Sequence, residues 1–148
     1  MKTKYTTIAW MTDLHLHQAN PANRTKFLKE LVAAEFDAAI ITGDISTSSQ
    51  VIEDLASLSD ACGNRNLFFV LGNHDFFDAS FSSVDVAVEK LCKTRDNLHY
   101  LEHGGTHRLA ENLGLVGCRG WSDGRAGLGS DSRIYSSDAF RIRDLMVT

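Results

Sequence analysis

The sequence predicts an α/β fold built on a mostly parallel sheet. Apolar runs typical of buried strands alternate with segments of helical periodicity, and polar turn residues end each run. Strands that alternate with helices form parallel sheets through right-handed crossovers. Because the apolar runs lack polar alternation, we expect the sheet to be covered on both faces.

The first two thirds of the chain contain three strand–helix pairs. The predicted strands span residues 5–11, 37–41 and 67–71. The helices that follow them, with apolar residues three and four apart, span residues 23–35, 50–61 and 83–94. Gly63 suits the end of the second helix, and Ser82 or Ser83 suits the N-cap of the third.

After residue 96 the pattern changes to short apolar runs. These runs predict strands at residues 98–101, 107–109 and 113–118. No helical segment separates them, so we expect an antiparallel extension of the sheet. The glycine-rich segment 114–129 is predicted to be an irregular loop, and helical spacing resumes over residues 137–146.

Composition and length predict a single globular domain, residues 1–148. Hydrophobic residues make up 43% of the 148 residues and charged residues 23%. No run approaches the roughly 18 apolar residues of a membrane helix, and the run at residues 8–11 is too short for a signal peptide. The formal net charge of -4 argues against a broad nucleic-acid-binding face.

The three cysteines favour a reduced, cytoplasmic protein. Cys62, Cys92 and Cys118 are widely spaced and form no Cys-x-x-Cys pair. This pattern argues against a disulfide framework and a Cys-ligated zinc site. We expect all three to pack as small apolar side chains.

Polar clusters follow each of the first three predicted strands. They are Asp13-Leu14-His15, Gly43-Asp44 and Gly72-Asn73-His74-Asp75. Each cluster alone could be an ordinary turn or cap, but the carboxyl ends of parallel strands meet at one edge of a sheet, where ligands bind. Their oxygen and imidazole donors suit a borderline metal such as manganese, iron or zinc.

The spacing within these clusters fits metal ligation. In Asp13-x-His15, side chains two apart point to the same side of an extended segment. A single aspartate can also bridge two metal ions through its two oxygens. We expect Gly43 and Gly72 to let the backbone turn tightly as it leaves each strand.

In order and spacing the three clusters resemble the first three motifs of the calcineurin-like metallophosphoesterases, over essentially the whole chain. This resemblance implies an αββα sandwich of two sheets flanked by helices, with this chain forming its N-terminal portion. It also implies a metal-dependent hydrolase of phosphate mono- or diesters.

The resemblance implies a ligand set for two divalent metal ions, of manganese, iron, zinc or a similar element. Asp13 and His15 would bind the first metal, Asp44 would bridge both, and Asn73 would bind the second. Two such ions neutralise charge on the phosphoryl oxygens and lower the pKa of a bridging water, whose hydroxide attacks phosphorus.

The same resemblance implies two catalytic residues. His74 would protonate, or hydrogen-bond, the leaving-group oxygen as a general acid. Asp75 would orient either the local loop or that histidine.

Further histidine motifs of the family do not occur in this sequence. The family continues with a Gly-His and then a Gly-His-x-His, whereas no histidine after residue 75 follows a glycine. We therefore expect a C-terminally truncated domain. The alternatives to an active enzyme are an inactive or weakly metal-binding fragment and a small metal- or nucleotide-binding module that reuses the half-site.

Other residues near the clusters have open roles. His17 lies two residues beyond His15 and either faces the same site or lies on the surface. His99, His103 and His107 are expected at polar loop and strand positions. Residues 45–48 lack the aspartate and arginine of the protein-phosphatase branch, which disfavours that branch.

Two further expectations concern the second half of the chain. Arg119 and Arg125 would contact a substrate phosphate or leaving group, or else lie solvated on a surface loop. A sheet face and the apolar face of the helix that carries Phe140, Ile142 and Leu145 are expected to be exposed without the rest of the fold, and to promote self-association.

Overall fold

Four parallel strands form the main sheet, in the order in which they occur in the chain. They are β1 (Ile8–Met11), β2 (Ala38–Thr42), β3 (Asn66–Val70) and β4 (Leu98–Tyr100). The computed structural model describes residues 7–121 and 136–146. It confirms the α/β class, with a four-stranded parallel sheet, flanking helices and a small antiparallel sheet.

Three helices connect these strands and cover one face of the sheet. They are α1 (Pro21–Ala33), α2 (Val51–Cys62) and α3 (Phe81–Cys92). Right-handed crossovers between strands added in one direction place every helix on the same side, and α2 contacts both α1 and α3. Strand residues with alternate spacing therefore face this layer, and Ile41 and Phe69 are fully buried in the core beneath it.

Local capping sets where two of these helices begin. The side chain of Asn20 accepts a hydrogen bond from the Asn23 amide at 2.8 Å, and Pro21 occupies the first turn, so α1 starts before residue 23. Ser80, and neither Ser82 nor Ser83, is the N-cap of α3, where it forms a capping box with Ser83.

The predicted antiparallel extension is wrong in its first strand. β4 pairs in parallel with β3, with Phe68 opposite His99, and so completes the main sheet. α3 supplies the crossover that a parallel pair requires. The predicted strand also ends one residue early, because Leu101–Gly104 forms a short helix, α4.

A two-stranded antiparallel sheet lies on the other side. β5 (His107–Ala110) pairs with β6 (Leu113–Leu115), and this part of the predicted extension is confirmed. Leu101 and Leu109 pack against Phe68 there in a second apolar cluster. At the β1 edge, Trp10 remains 73% exposed, so the expectation of a fully covered second face fails at this strand.

The described C-terminal residues form two short turns instead of the continuous helix predicted over 137–146. α5 spans Asp138–Arg141. The next residue, Ile142, has an extended backbone and precedes a 3₁₀ turn at Arg143–Leu145. Ile142 is fully buried. Within the described residues, no helix combines the length and the apolar character needed to cross a membrane.

Candidate metal centre

The first two polar clusters lie side by side because their backbones are paired. Beyond β1, the amide of Asp13 donates to the carbonyl of Gly43 at 3.1 Å, and the amide of His15 donates to that of Asp44 at 3.0 Å. These bonds continue the parallel pairing of β1 and β2 past the ends of the strands. The Asp-x-His and Gly-Asp segments are thereby fixed against each other.

Backbone strain is concentrated at these clusters. Asp13 (φ 53°), His15 (φ 42°) and Asp44 (φ 53°) all adopt left-handed conformations. Among the described residues only Asp78 (φ 69°) is a further non-glycine residue with positive φ. Such conformations cost on the order of 1 kcal/mol or more each and gather at functional sites.

The two glycines serve different purposes. Gly43 has φ 102°, so the expected tight turn is present there. Gly72 does not have positive φ, so no left-handed conformation requires a glycine there. A Cβ on Gly72 would lie 2.1 Å from Oδ1 of Asp44, so only glycine permits this approach of the carboxylate.

Asp13, His15 and Asp44 form a group that can hold one metal ion. One donor atom from each lies within 4.8 Å of the others. Nε2 of His15 is 3.9 Å from Oδ2 of Asp44, and Thr12 donates to Oδ2 of Asp13 at 2.5 Å. Nδ1 of His15 is buried without a hydrogen-bond partner among the described residues. The donor set of two carboxylates and one imidazole fits a divalent metal.

Asn73 adjoins the same group across a cavity of about 390 Å³. The amide nitrogen of Asn73 donates to Oδ1 of Asp138 at 2.8 Å, which leaves its amide oxygen as the atom a metal would take. The cavity is lined by Asp13, Thr42, Gly43, Asp44, Gly72, Asn73, Arg119, Gly120, Trp121 and Asp138.

Asp138 is a candidate site residue that sequence reasoning missed. It lies 65 positions beyond Asn73, and no motif surrounds it. The docking of the C-terminal segment brings it to the site: Arg143 donates to the Ala79 carbonyl at 3.0 Å, and the Phe81 amide donates to Asp144 at 2.7 Å.

The Asp75 carboxylate fastens two loops together. It is fully buried and accepts backbone hydrogen bonds from Ile45 (3.2 Å), Ser46 (2.7 Å) and Gly72 (2.9 Å). Burial raises its pKa to about 6, while these amides act to lower it. Its contacts are those of a residue that orients the loops, the first of the two roles considered for it.

His74 lies directly beside the first ligand group. Its amide donates to Oδ1 of Asp44 at 3.1 Å. Its ring centroid is 4.6 Å from that of His15 and 4.3 Å from that of Phe77.

His17 faces the site and does not lie apart from it on the surface. Its ring centroid is 5.8 Å from that of His15 and 6.5 Å from that of His74. Burial, and then the neighbouring imidazoles, lower the pKa of His17. Its position two residues beyond His15 is the sequence signal for this placement. The segment is a left-handed residue followed by a 3₁₀ turn, and not the extended backbone in which side chains alternate.

The guanidinium of Arg119 lines the cavity but is already paired. Nη1 contacts both carboxylate oxygens of Asp85, at 3.2 and 3.1 Å, and Nε lies 3.3 Å from Oε1 of Glu102. Arg125 lies outside the described residues.

The later histidines lie outside both candidate metal-binding groups of the described chain. The ring centroids of His99 and His107 are 5.2 Å apart, and both rings pack against Phe68. His103 lies 2.7 Å from Glu89 on the surface. None of these three histidines takes the place of the metal-binding histidines that the family's later motifs would supply.

One comparison with known proteins gives a match. The sequence model of the calcineurin-like phosphoesterases matches residues 6–124, well over half of the chain. No curated protein and no solved structure is significantly similar to it.

Proposed function

The chain belongs to the calcineurin-like phosphoesterase family, and from that premise we propose that it is a phosphohydrolase that hydrolyses phosphate mono- or diesters with a dinuclear metal centre. The observation that carries the proposal is the convergence of Asp13, His15 and Asp44 beside a polar cavity. Three residues have strained backbones, and Gly72 leaves room for the Asp44 carboxylate that a side chain would fill. Both features favour a built site over a set of unrelated turns.

The family resemblance implies the two ligand sets, and the grouping of Asp13, His15 and Asp44 supports the first of them. Asp13, His15 and Asp44 would hold one divalent ion, and Asp44 and Asn73 would hold the other. When bound, the two ions would neutralise charge on the phosphate and make a water acidic enough to serve as nucleophile at neutral pH. Manganese, iron and zinc all suit these donors.

We propose Asp138 as a further ligand of the second ion. It lines the cavity together with Asp44 and Asn73 and already bonds the Asn73 amide. A carboxylate there would take the place of a histidine that the family motifs would otherwise supply. Asp138→Asn keeps the size of the side chain but removes its charge, and we expect one of two bound Mn²⁺ ions to be lost in equilibrium dialysis.

Two residues would act around the phosphate without binding a metal. By the family resemblance, His74 would donate a proton to the departing alkoxide oxygen, and its ring centroid lies 4.6 Å from that of the ligand His15. Asp75 is a positioning residue, because its three backbone bonds hold the Gly43-Asp44 and Gly72-Asn73 segments in register.

The role of Arg119 is to shape the cavity wall. Asp85 and Glu102 neutralise its guanidinium, so its capacity for a substrate phosphate is reduced. Its contact with a phosphate oxygen remains a prediction that an Arg119→Met variant would test through the KM of the phosphate ester.

Hydrolysis of a chromogenic phosphodiester and phosphomonoester with added Mn²⁺ tests the proposal. We expect turnover by the wild-type chain and a loss of more than about 100-fold in Asp44→Asn, since even outer-shell changes cost metal sites 10–100-fold. Asp96→Asn is the matched control, because this exposed carboxylate precedes β4 at the opposite edge of the sheet. A folded chain that is inactive with every divalent metal would instead support the alternative of a weakly metal-binding fragment.

A further inference from the structure

Three imidazoles converge beside the proposed phosphoesterase centre. His15, His17 and His74 each offer a ligand atom within 4.8 Å of the other two. Their donors are all nitrogen, whereas the side chains lining the neighbouring cavity include three carboxylates and the Asn73 amide. None of the three histidines lines that cavity.

Local backbone structure brings the three rings together. His15 adopts φ 42° and ψ 46° and precedes a 3₁₀ turn at Leu16–Gln18 that carries His17. The Leu16 amide donates to the Ile45 carbonyl at 2.9 Å, and this bond fixes the turn against the loop that follows β2. His74 begins a separate 3₁₀ turn after β3 and packs on Phe77. The rings are therefore positioned by three separate constraints.

Two ring nitrogens in the cluster lack a partner. Nδ1 of His15 and Nδ1 of His17 are both buried and have no hydrogen-bond partner among the described residues. A buried polar atom without a partner costs about 1–3 kcal/mol. Two such atoms within one three-histidine cluster indicate a ligand that would satisfy imidazole nitrogen.

We propose that His15, His17 and His74 form a second metal site, selective for Zn²⁺ and similar nitrogen-preferring cations. Three imidazoles with one open position are a ligand set that zinc adopts readily. Mg²⁺ and Ca²⁺ prefer oxygen donors and would not compete for it. This site and the Asp13–His15–Asp44 group share His15.

The shared residue makes the new site inhibitory, a consequence that rests on the proposed function. Zn²⁺ bound to the three imidazoles would take His15 from the first ligand group and His74 from its role as proton donor. We expect Mn²⁺-dependent hydrolysis to be inhibited by Zn²⁺ at concentrations that fill the histidine site. The His17→Ala variant should keep the Mn²⁺-dependent activity and lose this inhibition.

Co²⁺ absorption spectroscopy on chelator-treated protein tests the site itself. Wild-type protein should give the intense visible bands of four-coordinate Co²⁺, and added Zn²⁺ should displace them. In His17→Ala the bands should disappear, and Zn²⁺ affinity by calorimetry should fall at least about tenfold. The matched control is His103→Ala, which removes a half-exposed histidine outside the cluster.

Three outcomes separate this inference from the proposed function. Retention of the Co²⁺ bands in Asp44→Asn supports a site distinct from the oxygen-rich centre, even if no hydrolysis is found. Equal Zn²⁺ affinity of His17→Ala and wild type would overturn the inference. So would a weak, six-coordinate Co²⁺ spectrum in the folded wild-type chain. Circular dichroism of each variant verifies that its fold is retained.

Discussion

Asp44 is the residue on which the geometry of the site depends. One of its carboxylate oxygens accepts the His74 amide, the other faces His15, and its backbone is held in a left-handed conformation. Strain of this kind persists only where surrounding contacts hold it. Here those contacts come from neighbouring loops, and two of them have consequences that can be measured.

Gly72→Ala should weaken metal binding. The added Cβ would lie 2.1 Å from Oδ1 and 2.5 Å from the backbone nitrogen of Asp44, so both the carboxylate and the loop that carries it must move. We expect Mn²⁺ affinity to fall by about tenfold or more, as for other changes that disturb ligand orientation. Calorimetric titration measures it. Gly114→Ala is the control and should bind as wild type does, because its Cβ would lie 3.1 Å from the Thr106 methyl and 3.9 Å from the His107 carbonyl oxygen, away from the metal ligands.

Asp75 should make stability depend on pH in the metal-free chain. Its pKa is raised to about 6 in the folded state, above the ordinary pKa of 3.8 for an aspartate in an unfolded chain. The contribution of Asp75 to stability is therefore full below about pH 4 and is lost as pH rises towards 6.

The comparison with Asp75→Asn isolates this effect. The free energy of unfolding of wild type, minus that of Asp75→Asn, should fall by up to about 3 kcal/mol across this window, because each pKa unit corresponds to 1.36 kcal/mol. Urea unfolding at several pH values measures the difference. A difference that rises with pH would mean that the three backbone amides outweigh burial.

At the scale of elements, a buried ion pair joins α1 to α2. Arg24 contacts the carboxylate of Asp54, which is fully buried, while Arg24 is 25% exposed. Removing the arginine would leave a buried charge without its partner. The pair therefore links the two neighbouring helices α1 and α2.

We expect Arg24→Ala to destabilise the chain by about 3–5 kcal/mol, the cost of breaking a buried pair. Replacing both partners, as Arg24→Met with Asp54→Leu, should cost far less, since no charge is left buried. Lys26→Ala removes an exposed pair with Glu30 on the same helix and should cost below about 1 kcal/mol. Chemical denaturation of the four proteins measures all of these. A double variant as unstable as Arg24→Ala would contradict the argument.

The C-terminal segment shows how one element completes a site formed by others. Buried Ile142 and the ion pair between Arg141 and Asp78, at 2.9 and 2.7 Å, dock it beside the loop after β3. That docking delivers Asp138 to Asn73. The proposed second ligand set therefore depends on contacts remote from the metal.

At the scale of the whole molecule, one sheet face is unevenly covered. The helices protect one side, whereas β5, β6 and α4 pack against the other side over β2, β3 and β4. Trp10, on β1, is 73% exposed there. Exposed apolar surface at a sheet edge promotes association.

We therefore expect the chain to self-associate through β1 as its concentration rises. Trp10→Glu should weaken association at least about tenfold, which corresponds to a loss of 1.4 kcal/mol. Val86→Glu adds the same charge at a 67% exposed position on α3, on the helical face. This control variant should associate as strongly as wild type. Sedimentation velocity over a concentration series measures both. A wild-type chain that stays monomeric throughout would contradict the expectation.

Sequence patterns predicted what local physics determines. Apolar periodicity located the first three strands and helices, and the three motifs located Asp13, Asp44 and Asn73 at one edge. The parallel pairing of β4 agrees with the predicted helix over residues 83–94, which supplies the crossover between β3 and β4. The expectation of an antiparallel strand there left this helix out of account. Asp138 could not be found from the sequence, since only tertiary docking brings it to the site, and the close contact of Gly72 with Asp44 is likewise visible only in three dimensions.

Electron paramagnetic resonance of the Mn²⁺-loaded chain tests the central claim most directly, because it reports whether two metal ions share one ligand. We predict a spin-coupled spectrum from two bound Mn²⁺ ions in the wild-type protein and loss of the coupling in Asp44→Asn. An uncoupled spectrum from a single bound ion in the folded wild-type chain would contradict the account, as would coupling that persists when Asp44 is replaced.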